Sequence, residues 1–197
     1  MKSLVNQIIC LFIIFACFPA HAQIIENESF SFVALGDMPY GNLQKTIPKY
    51  QALIQSINAE KPDFVAHVGD IKSGASPCTI ESYVKQLELM NEFLPPVLYT
   101  PGDNEWTDCQ KKKAGSLDPV EGLAELRKHF FATPFSLGQK KIQLERQSAV
   151  MKDFSKFVEN ARLVHKNIMV ATVHIVGSNN NYTVQKPDAA AEYALRN

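Results

Sequence analysis

Three short apolar runs in this chain each break into a glycine followed by an aspartate: "FSFVALGD" at Gly36-Asp37, "DFVAHVGD" at Gly69-Asp70 and "VLYTPGD" at Gly102-Asp103. Successive glycines stand 33 residues apart. Runs of β-formers bounded by turn residues read as buried strands, here Phe30 to Leu35, Phe64 to Val68 and the "VLYT" segment. The intervening segments read as helices. "IPKYQALIQSINAE" sets Ile47, Tyr50, Ile54 and Ile57 at helical spacing, with Pro48 in the first turn and an end near Glu60. Thr79 caps a second helix whose face is Ile80, Tyr83, Val84, Leu87 and Met90, broken by Pro95-Pro96. Alternation of strand and helix predicts an α/β sheet of parallel strands, because each crossover returns the chain in the same direction. Ligands of such sheets bind beyond the carboxyl ends of the strands, so all three acidic turns would face one crevice.

Further on, "LDPVEGLAELRKHFF" offers Asp118 as cap, Pro119 at the first helical position and Leu123, Leu126 and Phe130 on one face. The apolar stretches on either side of His165-Lys166-Asn167 read as a hairpin or a pair of sheet strands, and "DAAAEYALRN" reads as a helix with no stop signal. No fixed-period repeat, low-complexity tract or domain linker interrupts the chain.

The N-terminus bears on compartment. Lys2, an apolar run through Phe15 and the sequence Ala20-His21-Ala22 form the pattern of a secretory signal peptide over 1–22, and the run is shorter than the ~20 residues that span a bilayer. A lipidated Cys17 is the alternative, poorly served by the bulky Phe15 two residues before it. Cleavage after Ala22 leaves 175 of the 197 residues, 23–197, a length that suits one domain. The mature chain would be periplasmic or secreted, without a stable membrane anchor. It would keep Cys78 and Cys109, and an even pair in an oxidising compartment predicts a disulfide, with two free thiols as the alternative. Closing a loop of about thirty residues stabilises by roughly 3 to 4 kcal/mol in the chain-entropy account. Twenty basic residues balance twenty acidic ones, and Lys111-Lys112-Lys113 is the longest basic run, which disfavours a nucleic-acid or membrane-surface partner.

A single Gly-Asp turn is commonplace. Three directed into one crevice would repel one another unless a cation joined them, and carboxylate and amide oxygens are hard ligands for such ions. Taken together, "ALGDMPY", "HVGDIKSG" and "TPGDNEW" resemble the first three motifs of the calcineurin-like metallophosphoesterase family, in order, spacing and strand context. The resemblance covers roughly Phe30 to Cys109. It implies a sandwich of two mixed sheets flanked by helices, of which this chain would hold the N-terminal βαβαβ half. It also implies two divalent metal ions (Mn, Fe, Zn or Mg) and hydrolysis of a small phosphate ester. Two such ions clamp a phosphoryl group and activate water for in-line attack. Transferred by position, Asp37 would bind the first metal, Asp70 would bridge both, and Asn104 would bind the second.

The departures are equally specific. Pro39 stands where the family has a histidine; Tyr40, next along, would either approach the metal or serve in packing or the turn. Asp103 reads as an insertion before Asn104, and Glu105 occupies the place of a general-acid histidine. Glu105 would protonate the leaving group if a dry site raised its pKa; a solvated loop carboxylate is the alternative. The family's late Gly-His-x-His motif is absent. His174, which follows a strand, is read first as a core histidine or one that supports a neighbouring group, with a ligand to the second metal as the alternative, His67 as an orienting group, and His129 and His165 as surface residues. These gaps lead to the expectation of a chain truncated at its C-terminus. They leave open, beside an exported phosphoesterase, a secreted metal- or ligand-binding domain that has lost part of the site.

Overall fold

The computed structural model describes residues 29–177 except Met38. The expected signal peptide and C-terminal helix lie outside these residues. Strands β1 (Phe32–Leu35), β2 (Phe64–His67) and β3 (Val97–Tyr99) form a parallel sheet in the order β1-β2-β3, with Val65 opposite both Val33 and Val97. Helices α1 (Leu43–Glu60) and α2 (Ile80–Met90) are the crossovers. Helix α3 (Pro119–Phe130) follows β3, and then come β4 (Glu145–Arg146), the single turn α4 (Gln147–Val150), β5 (Ala161–His165) and β6 (Ile168–Thr172). The last three strands make a second, antiparallel sheet in the order β4-β5-β6. The fold is therefore the expected α/β arrangement of two sheets flanked by helices.

Local chemistry explains most boundaries. The Thr79 hydroxyl accepts from the Ser82 N–H at 3.2 Å, and the Asp118 carboxylate accepts from the Val120 N–H at 2.9 Å with Pro119 beginning the helix. Lys166 and Asn167, both at positive φ, make the tight turn of the β5–β6 hairpin. Two expectations need correction. Helix α1 begins at Leu43, so Pro48 lies inside it rather than in its first turn, and a proline there leaves the Gln44 carbonyl without its usual donor. Helix α2 buries Tyr83, Gln86, Leu89 and Met90, whereas Ile80 is 51% exposed and Val84 is also exposed.

The reason for that second difference is that α2 bridges two cores. Tyr83 and Met90 join Tyr99, Trp106, Leu123 and Leu126 in one cluster, while Leu89 joins Tyr50, Ile54, Val65 and Phe93 in the other. A helix serving both clusters buries a broader, rotated stripe than simple amphipathic spacing suggests. Among the described residues, no helix is long and apolar enough to cross a membrane.

Candidate functional site

The parallel register places the three Gly-Asp turns side by side at the carboxyl ends of β1, β2 and β3. Their backbones are interlocked: the Asp37 N–H donates to the Gly69 carbonyl at 3.2 Å, and the Thr100 N–H donates to the His67 carbonyl at 3.0 Å. Asp37 (φ 61°), Gly69 (φ 90°) and Asp70 (φ 55°) all take left-handed conformations, which aspartate tolerates better than most residues and which mark strained, over-determined positions. Glycine is required where the turns touch. A Cβ on Gly69 would stand 2.0 Å from the Gly102 nitrogen, and one on Gly102 would stand 2.0 Å from Asp70 Oδ1.

Beyond these turns lies an open crevice of about 280 Å³ whose walls include Asp37, Asp70, Asp103, Val68, Val173 and Ile175. Burial raises the Asp70 pKa; the Asn104 N–H opposes this, and the charges of Asp103 and Asp37 push it up again. The neighbouring Asp103 carboxyl thus disfavours the charged form of Asp70, a repulsion that a bound cation would relieve. The Tyr40 hydroxyl donates to Asp37 Oδ1 at 3.3 Å, and the Asn104 amide nitrogen donates to that hydroxyl at 3.0 Å. Burial and the Asp70 charge raise the Tyr40 pKa, keeping its proton in place.

The structure treats the three consecutive residues of the third turn differently. Asp103 lines the crevice. Asn104 presents its amide nitrogen to Tyr40 and its backbone N–H to Asp70 Oδ1 at 3.2 Å, while its amide oxygen lies beside Gly74, where a Cβ would come within 2.7 Å of it. Glu105 is 0% exposed and sits beneath the crevice. Its Oε1 accepts from the Asp70 N–H at 3.1 Å, the Gly102 N–H at 2.9 Å and the Tyr99 hydroxyl at 2.8 Å. Among the described residues, its Oε2 has no hydrogen-bond partner. Burial pushes its pKa up to about 7, opposed by the Gly102 and Tyr99 donors. The dry surroundings that a general-acid role for Glu105 would need are there, but the carboxylate is packed against the scaffold.

Two more ties hold the loops after β2 and β3 together. Buried Lys72 donates to the Asn104 carbonyl at 2.6 Å and to that of Ser73 at 3.0 Å. The predicted disulfide joins Cys78 and Cys109, with Cα atoms 5.7 Å apart. Buried His67, its pKa lowered to about 4 by desolvation, accepts the Gly69 N–H on Nδ1 at 3.2 Å and braces the second turn as a neutral ring.

The second sheet delivers the chain past β6 to the edge of the crevice. There the Thr100 hydroxyl donates to the Val173 carbonyl at 3.3 Å, and a Cβ on Gly177 would come within 2.4 Å of Asp103 Cβ. His174 is buried, with Nδ1 2.9 Å from Glu159 Oε1, and Arg127 grips both oxygens of the same carboxylate at 3.0 and 2.8 Å. This network anchors the 173–177 segment rather than presenting His174 to the crevice. His165 pairs with Asp63 at 3.0 Å, beside the loop that precedes β2, and His129 lies on α3 with a partly exposed ring. Sequence reasoning placed Asp103 in a crevice-facing turn but gave the ligand role to Asn104, and it did not reach Lys72, Glu159 or the 173–177 wall as parts of this region. For Asp103 a signal existed, since it is the third aspartate of the repeated Gly-Asp pattern.

An α/β fold whose parallel strand ends open into an acid-lined crevice offers hard oxygen donors to cations at the place where such sheets bind ligands. The family model for calcineurin-like phosphoesterases matches residues 30–189, and the chain belongs to that family. Membership implies metal-dependent hydrolysis of phosphate esters. No curated protein and no solved structure gives a significant match. The donors fit such ions in kind, being hard carboxylate oxygens gathered at one crevice. They do not complete a cage: among the described residues, no three His, Cys, Asp or Glu side chains converge closely enough to hold a metal.

Proposed function

We propose that this crevice hydrolyses small phosphate esters with two divalent ions, and that the protein does so after export. The observation that carries the reading is the meeting of Asp37, Asp70 and Asp103 in one crevice at the ends of three adjacent parallel strands. Asp37 would hold one ion, Asp70 would lie between both, and Asp103 would join Asp70 at the second. Asn104, the ligand expected from sequence, contributes in this geometry by fixing Asp70 and Tyr40, and its amide oxygen would need to turn from Gly74 to ligate. Ions bound there supply positive charge and Lewis acidity to an in-line displacement at phosphorus. Tyr40 orients the Asp37 carboxylate, and Glu105 holds the ends of β2 and β3 at fixed separation instead of donating a proton. The signal-peptide pattern of 1–22 and the disulfide support export.

A secreted cation-binding domain without turnover is the second reading. It is favoured by the incomplete convergence of ligands and by a crevice whose described walls contain no histidine. Metal content of the purified full chain, followed by hydrolysis of 4-nitrophenyl esters with added Mn²⁺, separates the two. Bound metal and turnover, both lost in Asp70→Asn, are expected. Metal without turnover would leave the binding domain, and an Asp70→Asn protein indistinguishable from wild type would remove both.

A further inference from the structure

Resting on the proposed function, we infer that the crevice selects phosphodiesters with an apolar arm over phosphomonoesters. One side of the crevice is acidic and the other is apolar and open: Val68 is 57% exposed, Val173 60% and Ile175 76%. The placement follows from extended alternation along the 173–177 segment. His174 and Val176 turn inward and are buried, so Val173 and Ile175 turn outward along the crevice. Thr100 pins this segment to the end of β3, and Gly177 lies against Asp103, so the apolar wall stands next to the carboxylates. Such exposure of three large aliphatic side chains beside a polar site is the pattern of a surface that meets an apolar group.

Charge points the same way. Among the described residues that line the crevice there is no Lys, Arg or His, and Lys72 spends its ammonium on the Asn104 and Ser73 carbonyls. Three carboxylates line the crevice with no basic side chain among its described walls. The monoanion of a diester meets less repulsion there than the dianion of a monoester, whose extra charge would face the acidic wall unpaired. A diester also replaces the second charged oxygen with an ester arm, which the Val173 and Ile175 wall would remove from water.

The test compares bis(4-nitrophenyl) phosphate with 4-nitrophenyl phosphate on the full chain in Mn²⁺. It is paired with calorimetric binding, at mildly alkaline pH, of dibenzylphosphinate, a singly charged probe with two apolar arms, and of benzylphosphonate, which is largely doubly charged under those conditions. The expected result is a kcat/KM for the diester at least about tenfold above that for the monoester, with the phosphinate binding more tightly than the phosphonate. Ile175→Ser, at an exposed position that does not threaten folding, is expected to raise KM for the diester roughly fivefold while leaving kcat and the monoester's KM little changed. Preference for the monoester and the phosphonate, or an Ile175→Ser protein with unaltered diester KM, would overturn the inference while leaving the phosphoesterase reading intact. Turnover of neither ester with binding of neither probe would remove the reading on which it rests, and the inference with it.

Discussion

The two sheets of this protein solve the problem of burial in opposite ways. The parallel sheet has helices packed on it, β2 and β3 are almost wholly buried, and the polar groups of this half gather where the strands end. The antiparallel β5–β6 hairpin leaves alternate residues, among them Val164 and Met169, open to solvent, and is fastened to the rest by side chains: Arg127 and His174 on Glu159, and Asp63 on His165. The first sheet concentrates charge at one edge because nothing else in it can be polar. The second carries no carboxylate to the crevice and contributes a wall. The crevice carboxylates and the apolar wall thus come from different halves of the molecule, joined where Val173 meets Thr100.

The sharpest challenge to this division lies within the third turn. If the crevice carboxylates carry the site, Asp103→Asn should lower turnover by about a hundredfold or more and reduce metal content, whereas Asn104→Ala should cost about tenfold. The reverse order, measured by metal analysis and steady-state rates, would restore Asn104 as the principal ligand.

The next effect concerns the fastening of the second sheet. Glu159→Ala would leave Arg127 and His174 in a buried region without their shared carboxylate, and a loss of about 3 to 5 kcal/mol in urea unfolding is expected. The Glu159 pKa is held well below the usual glutamate range, with the His174 hydrogen bond and Arg127 outweighing the opposing effect of burial. Its stabilisation is therefore fully present above about pH 4.3, the unfolded value, and fades as pH falls below it toward the lowered folded value. Glu159→Gln should accordingly flatten the acid limb of the stability profile; an unchanged limb would show that the network does not set it.

Cys78→Ser removes the covalent tie between the loops of the first sheet and should lower stability by about 3 kcal/mol, read as the same shift in wild type under reductant. The smallest effect belongs to the helix face that sequence spacing misplaced. Ile80→Ser should change stability by less than about 0.5 kcal/mol, against about 2 to 5 kcal/mol for Leu89→Ala. Comparable losses at both positions would contradict the two-core account of α2.

What was legible in the sequence follows from local rules. The strands at Phe32, Phe64 and Val97, the caps at Thr79 and Asp118 and the cysteine pair each announce themselves within a few residues. The α2 face was misread because Ile80 and Val84 fit helical spacing, while the burial of Gln86 and Leu89 depends on which elements lie nearby. Glu105 resembled a site carboxylate for the same reason: its neighbours in sequence are site residues, but its neighbours in space are Tyr99 and the N–H groups of Asp70 and Gly102.

The sequence alone determined that three glycine-hinged aspartates would end three parallel strands, because strand period, crossover direction and turn chemistry are local. Only the tertiary structure decided that Asp103 faces the crevice, Asn104 braces Asp70 and Tyr40, and Glu105 lies buried below. The chain bends at Gly102, where no side chain fits against Asp70, and past such a bend consecutive side chains diverge in directions set by the packed neighbouring turn rather than by their order in the chain.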